Sequence, residues 1–509
     1  QQKMRKGWFM ETINRRKHSS YLTTGALGLV LIGLAACSSG DSTPTSGIPA
    51  PGGSAGLSGP LVFVNNTGAL TSVALKGDSG NAVVNTIEAA KFENVALSDM
   101  QYSSGDWVFV NLTAANKVAT IDPLTAATPV HEANLLTGTR PVHIYRDPND
   151  GEVIWSMNDG DNAPGTTTPG DDLVNCAAQG GGSVTVIRNS HLGPGSTPPR
   201  VLRTICVLAD GHKVTAFSSG PGVLKRAFVS SEVGGEIAVI DDQEGSPTYL
   251  QMIARIDLCK STKETSPCND ETLTPLTTPF TPNSAGPHGI RWSKLTKKIY
   301  SIQEGYGEIV EIDPDTLAIT NTFDLAGTPY TGYGISPDGR FLLLRGNTIP
   351  PTGTKLGVID LGTAGTPRTN FTIPELDGTS TGAFKFSPDG KRFYILAGNA
   401  AASTKKDRLF AFDASTLTAT PPALTLIREI LLVAGGDSAG FAGAHSFDVL
   451  AQGAGEAKYI VVSNRADDSV SIINATDNLI KQTVTVGTSP GAVMVYESGA
   501  AGKGNQATN

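Results

Sequence analysis

Charge is scarce in this chain. Only 17% of its residues are Asp, Glu, Lys or Arg, against 39% hydrophobic, a balance that excludes intrinsic disorder. A coiled coil or helical bundle, rich in Glu, Lys, Arg, Leu and Ala, is excluded on the same ground. Cysteine is limited to five residues with no CxxC or CxxCH, which removes zinc ribbons and covalent c-type haem. Beyond residue 36 no run of 18 apolar residues occurs, so no further membrane-spanning helix is expected. GxSxG, HExxH, the P-loop and a GxGxxG in a strand–helix setting are all missing, and with them the common hydrolase and nucleotide signatures. A basic run is missing too. Residues 1–36 hold six basic side chains against Glu11 alone, so the remainder is more acidic than the net charge of −8 suggests. No nucleic-acid partner is expected of such a body.

Turn residues are what the chain has in excess. It carries 58 glycines and 31 prolines in 509 residues, about one in six, which points to an all-β protein with many tight turns.

Arg15-Arg16-Lys17 followed by the apolar run from Tyr21 to Ala36 has the layout of a secretory signal peptide, too short for a spanning helix. Its end, Leu34-Ala35-Ala36-Cys37, resembles the bacterial lipobox. That resemblance implies a lipidated Cys37 as mature N-terminus, and Ser38 after it implies an outer-membrane lipoprotein of the cell envelope, facing the periplasm or the cell surface. Residues 37–59 are then a Ser/Gly/Pro tether with a reach of about 25–30 Å. Residues 497–509 read as a disordered tail.

Between them one pattern recurs. Trp107-Val-Phe-Val-Asn111 leads to Lys117-Val-Ala-Thr-Ile-Asp122, Lys298-Ile-Tyr-Ser-Ile302 to Glu308-Ile-Val-Glu-Ile-Asp313, and Phe393-Tyr-Ile-Leu396 to Leu409-Phe-Ala-Phe-Asp413. The closing position falls at 75, 122, 188, 241, 313, 360, 413 and 474, giving eight units. Each alternates like a set of short strands and is too small to bury its own faces, so the units must stack. Radial stacking of such units makes a β-propeller. The expected fold is therefore all-β, a single propeller over 60–496 with eight four-stranded blades, or seven if one weak unit is an insertion. The first unit lacks its leading strand and the C-terminus offers an orphan one, Pro490-Gly-Ala-Val-Met-Val-Tyr496. The last strand is expected to complete the first blade.

Tyr459 to Val486, with V-S-N, S-V-S-I-I-N-A-T-D-N and T-V-T-V-G-T-S-P in succession, resembles the YVTN-type β-propeller repeat. The turns at Ser336-Pro-Asp-Gly339 and Ser387-Pro-Asp-Gly390 are similar to those of that family and of WD40-like propellers. The resemblance implies the fold; propellers of this kind serve as binding proteins, lactonases, haem d1 domains and copper enzymes, so it does not choose among functions.

With Cys37 lipidated, Cys176, Cys206, Cys259 and Cys268 remain. An even number in an exported chain reads as two disulfides; of three pairings, Cys176–Cys206 and Cys259–Cys268 each pin one long insertion. Four histidines, His143, His212, His288 and His445, share one repeat position at the start of a unit's leading strand. In a propeller that places them at one mouth of the central channel, where neutral imidazoles suit Cu, Fe, Zn or haem. Arg146 and Arg291 follow His143 and His288 by three residues, offering instead an anionic ligand site. Asn158-Asp-Gly-Asp-Asn162 faintly resembles a calcium loop, broken at Ala163-Pro164. Glu304 and Glu308 read as solvated. The expected function is a lipid-anchored scaffold binding a protein, glycan or small-molecule ligand. The alternative is a metal- or haem-dependent redox enzyme at the histidines, and a weaker one a lactonase-like hydrolase.

Overall fold

The computed structural model of the protein describes residues 59–498, except 163–175, 177–180, 193–195, 266–267, 269, 271–272, 275, 277–280, 326–327, 329, 347–355, 378, 399–406 and 433–443. Of 208, 380, 444 and 445 it describes the backbone alone. The signal, Cys37 and nearly all of the tether and tail lie outside the described residues.

Eight antiparallel sheets of four strands form a β-propeller. Blade 2, typical of the set, runs Leu97–Tyr102, Val108–Leu112, Lys117–Asp122 and Val130–Leu136. Blades 3 to 8 begin at Pro141, Lys213, Pro287, Tyr330, Ser380 and Ala444. Blade 4 gains a fifth strand of two residues, Leu273–Thr274. Blade 1 takes Leu61–Asn65, Leu70–Ala74 and Ala82–Ile87 from the N-terminal side and Val493–Tyr496 from the C-terminus. Val62 pairs with Val495 and Val64 with Val493 across that closure. A ring closed this way leaves no first or last blade with an open inner edge. The eight-blade count and the closure by the last strand both agree with the repeat pattern.

Burial explains why the strands read as they do. The inner strands lie between neighbouring blades and are covered on both faces, as in the fully buried Val108–Leu112 and Leu61–Asn65. The outermost strand of a blade is half-exposed, as in Val130–Leu136. Every pair of adjacent blades shares an apolar cluster. Trp107, Phe109 and Ile154 join blades 2 and 3; Phe341, Phe384 and Phe393 join 6 and 7; Val62, Val461 and Ile472 join 8 and 1. Stability is thus spread around the ring instead of residing in one centre.

Where Asp or Asn holds the recurring closing position, it proves to be a turn cap. Asp122 accepts hydrogen bonds from the backbone N–H groups of Leu124 and Thr125, Asp313 from those of Asp315 and Thr316, and Asp413 from that of Ser415. Such Asx turns start the hairpin to the outer strand. In the Ser-Pro-Asp-Gly turns, Gly339 and Gly390 adopt φ of +78° and +72°, open to glycine at little cost.

Cys176 and Cys206 are disulfide-bonded with Cα atoms 5.1 Å apart, pinning the first insertion to the outer strand of blade 3. The chain between them spans a sequence separation of 30, so Cys176→Ser is expected to cost about 2–4 kcal/mol. Denaturant unfolding with and without reductant checks this: the wild-type midpoint should fall in reductant, that of the variant should not. The bridge expected between Cys259 and Cys268 is not formed; both are thiols. They hydrogen-bond to one another, and burial with that contact raises the Cys259 thiol above its usual range.

Candidate functional site

Blades 3, 4 and 5 bring three of the four histidines together. His143 lies near the start of Pro141–Arg146, His212 immediately precedes Lys213–Ser218, and His288 is the second residue of Pro287–Ser293. The first strands of successive blades pack side by side, so side chains remote in sequence meet at one end of them. The His143 and His212 ring centroids are 4.7 Å apart, and those of His212 and His288 4.9 Å. His445 holds a matching backbone position in blade 8; its side chain lies outside the described residues.

Each of the three imidazoles has a carboxylate at Nδ1. Asp99 Oδ2 stands 3.4 Å from His143, Asp159 Oδ2 3.4 Å from His212, and Glu304 Oε1 2.9 Å from His288. A proton held at Nδ1 leaves Nε2 as the acceptor edge. The Nε2 of His212 is buried with no hydrogen-bond partner, on a side chain only 9% exposed. Burial pushes the His212 imidazole down to about 4, and the neighbouring His143 and His288 act in the same direction, against the pull of Asp159. His212 is therefore neutral at pH 7, the form a metal or an electrophile requires.

The carboxylates are held as firmly as the rings. Asp159 receives the Lys213 backbone N–H at Oδ1, its own N–H donates to Arg140 O, and its carbonyl accepts from Gly211 N. Glu304 N donates to Gly286 O, and Gly305 N to Ala285 O. A Cβ on Gly305 would run into the Ser284 carbonyl, so the turn presenting Glu304 needs glycine there. Beside Asp159, burial takes the Lys213 ammonium down to about 8 while its Nζ donates to Gly211 O.

Other expectations are corrected. Arg146 and Arg291 do not serve an anion beside the histidines. They are buried with their guanidinium groups over the Tyr102 and Tyr333 rings, at 5.5 and 5.6 Å. An odd offset along a regular strand sends side chains to opposite faces, so Arg146 staples blade 3 to blade 2. The 158–162 stretch is no calcium loop. Asn158 donates to Ser183 and Thr185, Asn162 to Ser183 and Gly181, and Asp159 serves His212. Glu304 and Glu308, read as solvated, are engaged with His288 and Lys260.

Asp99, Asp159, Glu232 and Glu304 escaped the sequence reading as site residues. A signal existed for three of them. Asp159, Glu232 and Glu304 each follow the last residue of a blade's second strand, after Asn158, Ser231 and Gln303. Aligning blades 3, 4 and 5 would have shown an acid recurring at one repeat position.

Among the described residues, no group of three or more His, Cys, Asp or Glu side chains is arranged to clasp a metal as it stands. Two imidazoles sharing a tetrahedral ion at about 2.0–2.1 Å place their centroids about 5 Å apart, close to the observed spacing. Carboxylates at the far nitrogen are the usual support of metal-bound histidines.

Fold and site together define an eight-bladed β-propeller with an imidazole–carboxylate cluster at one end of its inner strands. Solved structures agree with the fold. The dihydro-heme d1 dehydrogenase NirN, in complex with DHE, aligns over 87% of this chain and 76% of its own at 14% identity, with a TM-score of 0.52. Apo AztD from Citrobacter koseri aligns over 86% and 97% at 13% identity and a TM-score of 0.51. Sqt1 of Saccharomyces cerevisiae aligns over 80% and 91% at 10% identity and 0.51. At these identities the likeness concerns the fold alone. No family model and no curated protein matches the sequence. No helix among the described residues is long and apolar enough to cross a membrane.

Proposed function

We propose that the protein is a metal-binding propeller of the cell envelope, tethered through a lipid on Cys37, with its ligand seat at His143, His212 and His288. The ion would be a late first-row divalent cation such as Zn2+ or Cu2+, which imidazole suits. One observation carries the reading: imidazoles from three successive blades, with His212 in ring contact with both His143 and His288, each with a carboxylate at Nδ1. The Nε2 atoms of the three rings would hold the ion, and Asp99, Asp159 and Glu304 at Nδ1 would keep the rings oriented, neutral and basic. When bound, the ion would supply Lewis acidity or a binding point for a further ligand.

The test is a competition titration of chelator-treated protein with Zn2+. One ion per chain is expected in the wild type. The His143→Ala/His212→Ala/His288→Ala variant should bind at least about 100-fold more weakly, with unchanged circular dichroism. Equal binding by the two, or none by either, overturns the reading.

A further inference from the structure

His288 and Glu304 sit on two short segments that run side by side. Glu304 N donates to Gly286 O at 3.1 Å, and Gly305 N to Ala285 O at 3.0 Å. The next pair outward, Ser284 and Tyr306, is joined by a side chain instead. Oε1 of Glu264 accepts the Ser284 N–H at 2.6 Å and the Tyr306 hydroxyl at 2.7 Å, and its Oε2 accepts the Ser284 hydroxyl at 3.2 Å. Donors from both segments thus share one carboxylate, in charge-assisted bonds. The Tyr306 and Ser284 bonds hold the Glu264 carboxyl below its usual range. Glu264 belongs to the insertion that follows Met252–Asp257, the fourth strand of blade 4. A tight turn presents it there: the N–H groups of Lys263 and Glu264 both donate to Lys260 O at 2.9 Å. Two further contacts fasten that turn to the same place. Lys263 Nζ donates to Tyr306 O at 3.4 Å, and Lys260 pairs with Glu308.

We propose that Glu264 is a positioning residue for the His288–Glu304 pair, a staple from the blade 4 insertion that fixes how Glu304 meets Nδ1 of His288. That contact, at 2.9 Å, is shorter than the 3.4 Å of the other two imidazole–carboxylate pairs. Asp159 is anchored at its own carboxylate by the Lys213 N–H. Glu304 lies instead on a turn that contains Gly305 and Gly307, residues that leave the backbone free to rock. Its anchor comes from outside the turn, through Tyr306 two residues on and through Ser284 four residues before His288. The staple concerns the pair itself and stands with or without an ion. What the pair does rests on the metal-binding reading above.

Full-length, metal-free protein with isotope-labelled histidine is compared as wild type, Glu264→Ala and Glu264→Gln by NMR of the imidazole N–H groups. The wild type should show a downfield Nδ1–H resonance from His288, assigned by its loss in His288→Gln. Glu264→Ala should lose that resonance, while the signals of His131 and His191, engaged elsewhere with Asn134 and Glu152, stay in place. Glu264→Gln keeps an acceptor oxygen for the Ser284 and Tyr306 donors and should retain it. An unchanged His288 resonance in Glu264→Ala overturns the positioning role. If the alanine variant does not fold, Tyr306→Phe takes its place. It removes one donor and keeps the ring, so the His288 resonance should shift, and an unchanged one overturns the assignment. A Zn2+ titration of the same proteins keeps the two readings apart. Where the wild type binds the ion, Glu264→Ala should bind about 10-fold more weakly. A wild type that binds none overturns the metal seat, and the resonance alone then decides the staple.

Discussion

Replacing Asp448 by alanine is expected to destabilise the ring by about 3–5 kcal/mol. Asp448 lies at the point where the ring closes. Its Oδ1 is 2.9 Å from Lys385 Nζ of blade 7, and its Oδ2 accepts the Val495 N–H of the closing strand at 2.7 Å. Both charged side chains are buried, 6% and 2% exposed. Burial raises the Asp448 carboxyl above its usual range, against the pull of Lys385 and the N–H donors, so the pair is costly as well as cohesive. Removing one partner leaves an ammonium in the interior with no counter-charge. Replacing both, Lys385→Met with Asp448→Leu, should restore most of the loss, because a packed apolar pair carries no desolvation cost. Denaturant midpoints of the three variants check this. An Asp448→Ala loss below about 1 kcal/mol would show that the closure does not depend on the pair. Truncation before Val493 goes further, since it also strips Tyr496 from its edge-on contacts with Phe63 and Tyr102.

The contrast between legible and hidden features follows from range. Alternation and turn chemistry act over a few residues, so Lys117–Asp122 and its counterparts announce themselves, and counting them gave the blades. The closing strand was legible because the first unit lacked what the C-terminus had to spare. The imidazole contacts were legible because a repeat converts equal sequence position into spatial proximity. The carboxylates were hidden for a different reason. Asp99 is 44 residues from His143, and it comes from the preceding blade's inner strand, off the repeat position of the other acids. Arg146 and Arg291 misled because a spacing of three from a histidine was read as nearness, whereas an odd offset along a strand separates the faces. Their rows of aromatic contacts, continued by Arg345 over Phe384 and Lys385 near Phe447, belong to blade-to-blade packing. The thiols of Cys259 and Cys268 were near enough in sequence to suggest a bridge, but nearness does not form one.

A second large effect is expected from Asp242→Asn, which should stabilise the protein by about 2 kcal/mol at pH 7–8 and change little near pH 4. Asp147 and Asp242 are both buried and hydrogen-bond to each other, in the turns that leave the inner strand of blade 3 and the third strand of blade 4. Burial pushes Asp147 up to about 6 and Asp242 well above the usual carboxylate range, the repulsion between them adding to the rise in Asp242. Asp150 adds to the repulsion on Asp147, Lys225 offsets the rise in Asp242 only in part, and both carboxyls act on the neighbouring Tyr249 hydroxyl. Two such carboxyls hold a proton that the unfolded chain releases near pH 4. The folded state therefore binds more protons than the unfolded one above that pH. Stability is fully present below about 3.8 and is lost as pH rises through about 6. An amide at 242 keeps the neighbour's hydrogen bond, donating from Nδ2 to Asp147 while its Oδ1 still accepts from Asn149 Nδ2, as Asp242 Oδ2 does at 2.9 Å. It removes the like charge without emptying the space. Asp147 can then ionise, with the Asn149 N–H and Trp155 Nε1 as donors. Thermal unfolding of wild type and variant from pH 4 to pH 8 reads the effect as two curves that diverge on raising the pH. Parallel curves would show that the pair ionises freely and that its burial exacts no proton.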